Sequence, residues 1–180
     1  MAIRNVLLLG NPQLYEISEA VNEQELESLK PAIADLHDTM MAFRHKWGAG
    51  RAIAAPQIGV MKRLIYMHID QPIVLINPYF EEKSEAMFEV WDDCMSFPEL
   101  LVKVRRHQSC RIVYQDLNWQ QQSMNLEEDL SELLQHEVDH LDGILAVSQA
   151  IAPTSFAMRS QKEFTNYDRS GIKPIIRRDQ

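Results

Sequence analysis

The amino-acid sequence predicts a single α+β domain. A chain of 180 residues is long enough for one sizeable hydrophobic core and too short for two ordinary domains. Two segments with the apolar spacing of amphipathic helices lie on either side of a middle part made of short, strand-like apolar runs. Because these elements are grouped rather than alternating, an α+β arrangement is favoured over repeated βαβ units.

The first predicted helix covers residues 23–46, where large apolar side chains recur at spacings of three and four from Leu26 to Phe43. Pro31 lies inside this pattern and either kinks the helix or marks a second start. The sequence Gly48-Ala49-Gly50 ends the helix, since glycine adopts left-handed backbone conformations without steric cost.

The middle of the chain is predicted to form five short strands, followed by a second helix. Each strand is a run of apolar, β-branched or aromatic residues between turn-forming segments. The runs cover residues 64–67, 73–76, 87–91, 101–104 and 110–114. Residues 116–123 are polar and predicted to be a turn. The second amphipathic helix covers residues 126–142, with acidic residues in its first turn, where the helix dipole favours them, and Gly143 at its end.

The composition and charge exclude several classes of partner. The net charge is −8 and the pI about 5.2, so the chain repels phosphate backbones and direct nucleic-acid binding is not expected. Lys173, Arg177 and Arg178 near the C-terminus are interpreted as a solvated end. No apolar run approaches the ~18 residues that span a bilayer, and no signal peptide is recognisable. With only Cys94 and Cys110, no disulfide framework is expected, which favours a reducing, cytoplasmic location without membrane attachment.

The strongest chemical signal is the motif His136-Glu137-Val138-Asp139-His140 on the second predicted helix. Side chains four residues apart on a helix lie on one face, about 6 Å apart, so both imidazoles can bind one metal ion. Glu137 then projects beside them and can reach water on the metal. The pattern is typical of zinc hydrolases. From the motif alone, a chance pair of surface histidines is the alternative.

Two further segments are candidates for completing such a site. A catalytic metal centre usually has three protein ligands and an open position, and Cys94 follows a predicted strand as a candidate for the third ligand. A lone cysteine is, however, more often a buried thiol without a ligand role. Residues 53–59 include small residues that permit close backbone approach, and Gln57 offers an amide N–H. An ordinary loop is the alternative for that segment.

Taken in order along the chain, these three segments resemble the three motifs of the peptide deformylase family. Residues 50–57 resemble Gly-x-Gly-Leu-Ala-Ala-x-Gln, residues 92–96 resemble Glu-Gly-Cys-Leu-Ser, and residues 135–141 resemble Gln-His-Glu-x-x-His-Leu. The resemblance covers about residues 6–146 and leaves residues 147–180 as a C-terminal extension of the single domain. It implies antiparallel β-sheets packed around a central helix that carries the third motif, together with an N-terminal helix.

The resemblance also implies a reaction. Cys94 and the two motif histidines would bind one divalent metal ion, ferrous iron in the cell, with zinc or nickel as replacements. Water on the metal would attack the formyl carbon of an N-terminal formylmethionine and release formate, with Glu137 as the acid–base residue. The side-chain N–H of Gln57 and the backbone N–H of Met95 would stabilise the oxyanion. The expected partners are N-formylated peptides, with nascent chains at the ribosome as one source of them.

Departures from the family motifs lie close to the expected substrate path. Asp93 stands in place of the glycine next to the cysteine. Asp92 replaces the adjacent glutamate, whose arginine partner would be Arg106 or Arg105 here. Ala52 stands at the second glycine of motif one, unless Gly48-Ala49-Gly50 is the Gly-x-Gly sequence and two residues are inserted after it.

Four residues are predicted to contact the substrate, namely Gly50, Arg51, Ile53 and Asp93. Arg51 and Asp93 either pair across the cleft and narrow it, or Asp93 binds a cationic group of the substrate, or Asp93 points to solvent. Two alternative functions follow from the departures: a related enzyme that acts on another small formamide, and a catalytically inactive relative that only binds.

Overall fold

The computed structural model describes residues 2–167 and confirms the α+β class. Within this range the chain forms two α-helices, eight strands and short 3₁₀ turns. The helices are α1 (Leu26–Trp47) and α2 (Glu128–Leu141), and the strands are β1 (Ala52–Ala54), β2 (Leu64–His68), β3 (Pro72–Lys83), β4 (Met87–Asp93), β5 (Leu100–His107), β6 (Ser109–Gln115), β7 (Gln121–Glu127) and β8 (Phe156–Met158). The basic cluster of Lys173, Arg177 and Arg178 lies outside the described residues.

A five-stranded antiparallel sheet with the order β1-β2-β3-β6-β7 forms the middle layer of the domain. Successive side chains of a strand point to opposite faces, and both faces are covered here. In β2, Leu64 and Tyr66 pack in the apolar cluster that includes α1, whereas Ile65 and Met67 pack in the cluster that includes α2. This double burial explains why the strand reads as a continuous apolar run.

Helix α2 lies between this sheet and a smaller one. The smaller sheet has the antiparallel order β4-β5-β8, and α2 contacts both β1 and β5. The arrangement predicted for the fold, antiparallel sheets around a helix that carries His-Glu-x-x-His, is therefore confirmed. It brings the end of β4, the turn after β1 and one face of α2 to the same place.

The end of α2 is fixed by Gly143, as the sequence predicts. Its φ angle is +71°, and a Cβ atom at this position would lie 2.5 Å from the carbonyl oxygen of Tyr15. Only glycine combines this conformation with so close an approach. The N-terminal segment is thereby held against the helix that carries the motif, and the backbone N–H of Ser18 donates to the carbonyl of Leu141.

The predicted elements are largely confirmed, with one clear correction. Helix α1 continues through Pro31 without a second start, and Gly48 ends it with a φ angle of +66°. Residues 116–123 are not all turn: Gln121–Glu127 form β7, so α2 begins at Glu128 rather than at residue 126. Strand β7 pairs with β6 and buries only Met124 and Leu126, which leaves its other face polar.

Over residues 2–167, no helix combines the length and the apolar character that crossing a bilayer requires. Both cysteines are free and buried, as expected.

Candidate metal centre and active site

Helix α2 presents His136 and His140 on one face because they are separated by four residues. Their Nε2 atoms lie 3.1 Å apart, and the two rings meet edge to face. Both side chains are buried. The two ring nitrogens therefore point at one position on the inner face of the helix.

Cys94 lies close to these two histidines and comes from the smaller, three-stranded sheet. It directly follows β4, and its Sγ lies 3.2 Å from Nε2 of His140. One ligand atom from each of Cys94, His136 and His140 can be chosen so that all three lie within 4.8 Å of one another. A thiolate and two imidazoles that converge in a buried position are a donor set suited to zinc, iron or nickel. The three residues that the sequence predicts as ligands are thus brought together in a geometry that fits a metal ion.

A buried ion pair orients one of the two imidazoles. The carboxylate of Asp92 accepts from Nδ1 of His136 at 3.0 Å, which directs Nε2 of His136 toward the centre. Arg106 donates to Asp92 at 2.9 Å and also binds Asp139. Although burial opposes ionisation of Asp92, the charges of His136 and Arg106 hold its pKa well below its usual range. Of the two arginines considered from the sequence, Arg106 is the partner of Asp92, whereas Arg105 pairs with Glu89 at the surface.

Glu137 lies beside the donor atoms as a buried carboxyl group. Burial raises its pKa to about 7, and the charge of His136 opposes this rise. Its Oε2 has no hydrogen-bond partner among the described residues. A carboxyl group whose pKa is close to neutrality can both accept and return a proton, which is what an acid–base residue requires.

Two N–H donors face the same space from other segments. Gln57, in the 3₁₀ turn Ala55–Ile58, accepts the backbone N–H of Ala54 at its Oε1, so its Nε2 is turned toward the centre. That nitrogen lies 3.5 Å from Sγ of Cys94 and 3.2 Å from the hydroxyl oxygen of Ser96. The backbone N–H of Met95 donates to no other described residue. The N–H of Met95 is therefore available to a developing negative charge, and Nε2 of Gln57 faces the same space while it donates to Cys94 and Ser96.

A small cleft of about 40 Å³ opens beside these groups. Gly50, Arg51, Ala52 and Asp93 all line it, together with Gln57, Cys94, Met95, His136 and Glu137. Ile53 does not line the cleft. The side chains of β1 alternate, so Ala52 and Ala54 face α2 while Ile53 is buried in the cluster around α1. The substrate contact expected of the Ile53 side chain is therefore not seen.

Arg51 and Asp93 have other partners than the sequence suggests. Arg51 binds Asp129 through one terminal nitrogen and lies 3.6 Å from the carboxylate of Glu132 through the other. Asp93 accepts from Arg159 at 2.8 Å. Of the three alternatives for these residues, pairing across the cleft and an Asp93 that points to solvent are both wrong, because acids of α2 are closer to Arg51 and the turn after β8 brings Arg159 to Asp93.

Three residues of this site were missed from the sequence. Glu132 lies four residues before His136, so helical periodicity alone could have placed it on the same face. Phe43 lines the cleft from α1, and Arg159 reaches Asp93 from beyond the family-like segment. The sequence offers no local signal for these two, because each is positioned by long-range packing.

Comparison with known proteins gives one consistent result. The family model described as Polypeptide deformylase matches residues 3–155. A protein named peptide deformylase 1 from Prochlorococcus marinus is 34% identical over 179 residues, which cover 91% of this chain and 88% of that protein. The crystal structure of a peptide deformylase from Legionella pneumophila is similar with a TM-score of 0.77 and 33% identity, over 86% of this chain and 89% of the other. A Met-Ala-Ser-bound class I type b peptide deformylase from Acinetobacter baumannii has a TM-score of 0.75 and 27% identity, over 82% and 98% of the two chains.

Proposed function

This chain belongs to the polypeptide deformylase family, and from this premise we propose how its residues carry out the reaction. It is a metal-dependent amide hydrolase that removes the N-formyl group from the formylmethionine of new polypeptides. The observation that carries the assignment of roles is the convergence of three donor atoms beside a buried carboxyl group and two N–H donors. A relative that only binds would lack a metal ligand, Glu137 or Gln57, and this chain has all of them.

We propose that Cys94, His136 and His140 hold the metal ion. Ferrous iron is the proposed metal in the cell, and zinc or nickel would replace it in a purified sample. When bound, a divalent cation supplies Lewis-acid polarisation and lowers the pKa of water in the site. Asp92 and Arg106 keep His136 in the tautomer that a metal ligand needs.

The protein groups around the metal site then transfer the proton of the attacking water and stabilise the negative charge on the formyl oxygen. Glu137 takes a proton from the attacking water and returns it to the leaving amine nitrogen. As the formyl carbon becomes tetrahedral, its oxygen gains negative charge that the N–H groups of Gln57 and Met95 stabilise. One such donor contributes roughly 3–4 kcal/mol to lowering the barrier. The products are formate and a peptide with a free amino group.

The proposed substrate is an extended N-formylated peptide. The Acinetobacter baumannii relative binds Met-Ala-Ser, the product that formyl-Met-Ala-Ser would give. Nascent chains at the ribosome in the cytoplasm are the proposed source of such peptides, with no direct contact to nucleic acid or membrane. We further propose that residues 1–180 form a single domain, in which residues 147–180 extend the family-like part.

The test is formate release from formyl-Met-Ala-Ser by the metal-loaded protein. Iron, zinc and nickel forms are prepared in parallel, and acetyl-Met-Ala-Ser serves as the control substrate because its acetyl group is not a formyl group. We expect formate with at least one metal and loss of activity after chelation. If none of the three forms released formate, the proposed function would be wrong.

A further inference from the structure

The apolar side of the active-site cleft is narrowed by two side chains of the protein itself. Phe43 and Met95 close around Gly50, whose φ angle is +117°. A Cβ atom on Gly50 would lie 3.4 Å from the ring of Phe43 and 3.7 Å from the terminal methyl group of Met95. An apolar substrate side chain therefore finds little room on this side of a cleft of about 40 Å³.

The other side of the cleft carries a charged wall formed by Arg51 and Glu132, next to Leu133, and Asp129 pairs with Arg51 from outside the lining of the cleft. Asp129, Glu132 and His136 follow at spacings of three and four on α2, so the wall continues the face that carries the motif. The side chain of Glu132 is only 2% exposed and that of Asp129 only 10%. Arg51, directly before β1, pairs with Asp129 and Glu132 through its two terminal nitrogens. The wall is thus built from mutually paired charges, of which Glu132 is buried and Arg51 is partly buried.

This wall lies next to the position where the first substrate residue must be. In an N-formyl peptide the Cα atom of the first residue is two bonds from the formyl carbon. With that carbon between Gln57 and Glu137, the first side chain leaves the reacting centre within a cleft whose remaining walls include Arg51, Glu132 and Asp93. Asp93 is paired with Arg159, so Arg51 and Glu132 are the charged groups that the side chain contacts, beside the apolar side chains of Ala52 and Leu133.

A methionine side chain and a short polar side chain differ in the hydrogen bonds that they can form with this charged wall. The thioether of methionine is apolar and accepts hydrogen bonds only weakly. When it covers Arg51 and Glu132, their charged groups lose hydrogen bonds to water and gain no equivalent hydrogen bonds from the substrate. A hydroxyl group can bond to the guanidinium or the carboxylate, and a short side chain leaves room for water.

Given the proposed function, we propose that Arg51 and Glu132 determine which first residue the enzyme prefers. They shift the preference from methionine toward short polar side chains such as serine. Formyl-methionyl peptides remain substrates, but the substrate range also includes formylated peptides or small formamides with a hydroxyl-bearing group next to the formyl nitrogen.

The test compares formyl-Met-Ala-Ser with formyl-Ser-Ala-Ser on the metal-loaded enzyme and on the double variant Arg51→Leu/Glu132→Leu. Both charges are removed together, because removing Arg51 alone would leave Glu132 as a buried unpaired carboxylate. The matched control is Arg105→Leu/Glu89→Leu, which removes an arginine–glutamate pair that does not line the cleft. Thermal unfolding of each variant verifies that it is folded.

We expect the double variant to raise the Met/Ser ratio of kcat/KM at least tenfold over wild type, mainly through KM, since neither residue touches the reacting atoms. The control variant should leave the ratio unchanged. Calorimetric binding of the products Met-Ala-Ser and Ser-Ala-Ser should show the same change in the ratio of their Kd values. A rise of less than tenfold in both ratios would overturn the proposal. If no formyl peptide were hydrolysed at all, the proposed function would fail, while the product-binding ratio would still decide this inference.

Discussion

Two regions of the active site differ in how closely they follow the family motifs: the catalytic side, which holds the metal-binding residues, and the rim, which holds Arg51 and Asp93. On the catalytic side, Cys94, His136 and His140 match the family motifs, and the charge of Asp92 is balanced by Arg106 in the interior. On the rim, Arg51 and Asp93 depart from what the motifs suggest, and each is held by charged partners that the motifs do not contain. The reaction fixes donor types and positions within tenths of an ångström, whereas the rim has only to fit the substrate that this enzyme uses.

The largest expected effect is on metal binding and kcat/KM, and it distinguishes substitution of Cys94 from substitution of Cys110. We expect Cys94→Ala to abolish stoichiometric metal binding and to lower kcat/KM by more than about 100-fold, since even residues that merely support a metal ligand typically contribute 10–100-fold. Cys110→Ala is the matched control: Cys110 is buried against Ser131, and burial raises the pKa of its thiol, as expected of an inert cysteine. Metal analysis and formate release measure both effects. A Cys94→Ala protein that kept one metal per chain would require a different third ligand.

The next effect tests the acid–base residue on the catalytic side. Glu137→Gln should retain the metal but lower kcat by about 10²–10⁴-fold, because an amide cannot exchange protons. Glu127→Gln, at an exposed position of β7, should leave kcat unchanged. If Glu137→Gln retained the kcat of the wild-type enzyme, another base would have to be sought.

The third comparison uses two adjacent arginines on β5. Arg106 is buried and pairs with Asp92 and Asp139, so Arg106→Met should lower the free energy of unfolding by about 3–5 kcal/mol, since the buried carboxylate of Asp92 would lose its arginine partner. Arg105→Met removes only an exposed pair with Glu89 and should change the free energy of unfolding by less than about 1 kcal/mol. Denaturant unfolding of the metal-free proteins measures both values. Equal effects would show that the buried pair contributes no more than a surface one.

The catalytic side could be predicted from the sequence because its information is local. The spacing of His136 and His140 fixes a shared helix face, and the order of the motifs identifies Cys94. Strand β7 was missed because it is an edge strand of the larger sheet whose exposed face is polar, so only Met124 and Leu126 signal its burial. Strand β1 is hidden for another reason: Ala52 and Ala54 have little tendency to form strands and owe their place to packing beneath α2.

The rim could not be predicted because its contacts join distant parts of the chain. Arg51 and Asp129 are separated by 78 residues, and Asp93 and Arg159 by 66. Opposite charges that face each other in the fold look like ordinary surface residues in the sequence. Glu132 and Asp129, four and seven residues before His136, had a periodic relation to the motif that could have revealed them.

The smallest expected effect concerns Asp93, the departure nearest to the metal ligands. Arg159 donates to Asp93, to the carbonyl of Pro98 and to Tyr167, and so ties the turn after β8 to the loop that contains Cys94. Because both charges of the pair are only partly buried, Asp93→Ala should lower the free energy of unfolding by at most about 1 kcal/mol.

Its effect should instead be local. Amide hydrogen exchange should become faster in Phe156–Met158, which is a short edge strand beside β5, while kcat/KM on formyl-Met-Ala-Ser changes by less than about fivefold, the factor that corresponds to 1 kcal/mol. Asp70→Ala, in the exposed turn between β2 and β3, is the control and should change neither quantity. A larger change in kcat/KM without faster exchange would mean that Asp93 contacts the substrate directly. In that case the specificity of the rim would be shared between Asp93 and the wall formed by Arg51 and Glu132, instead of resting on that wall alone.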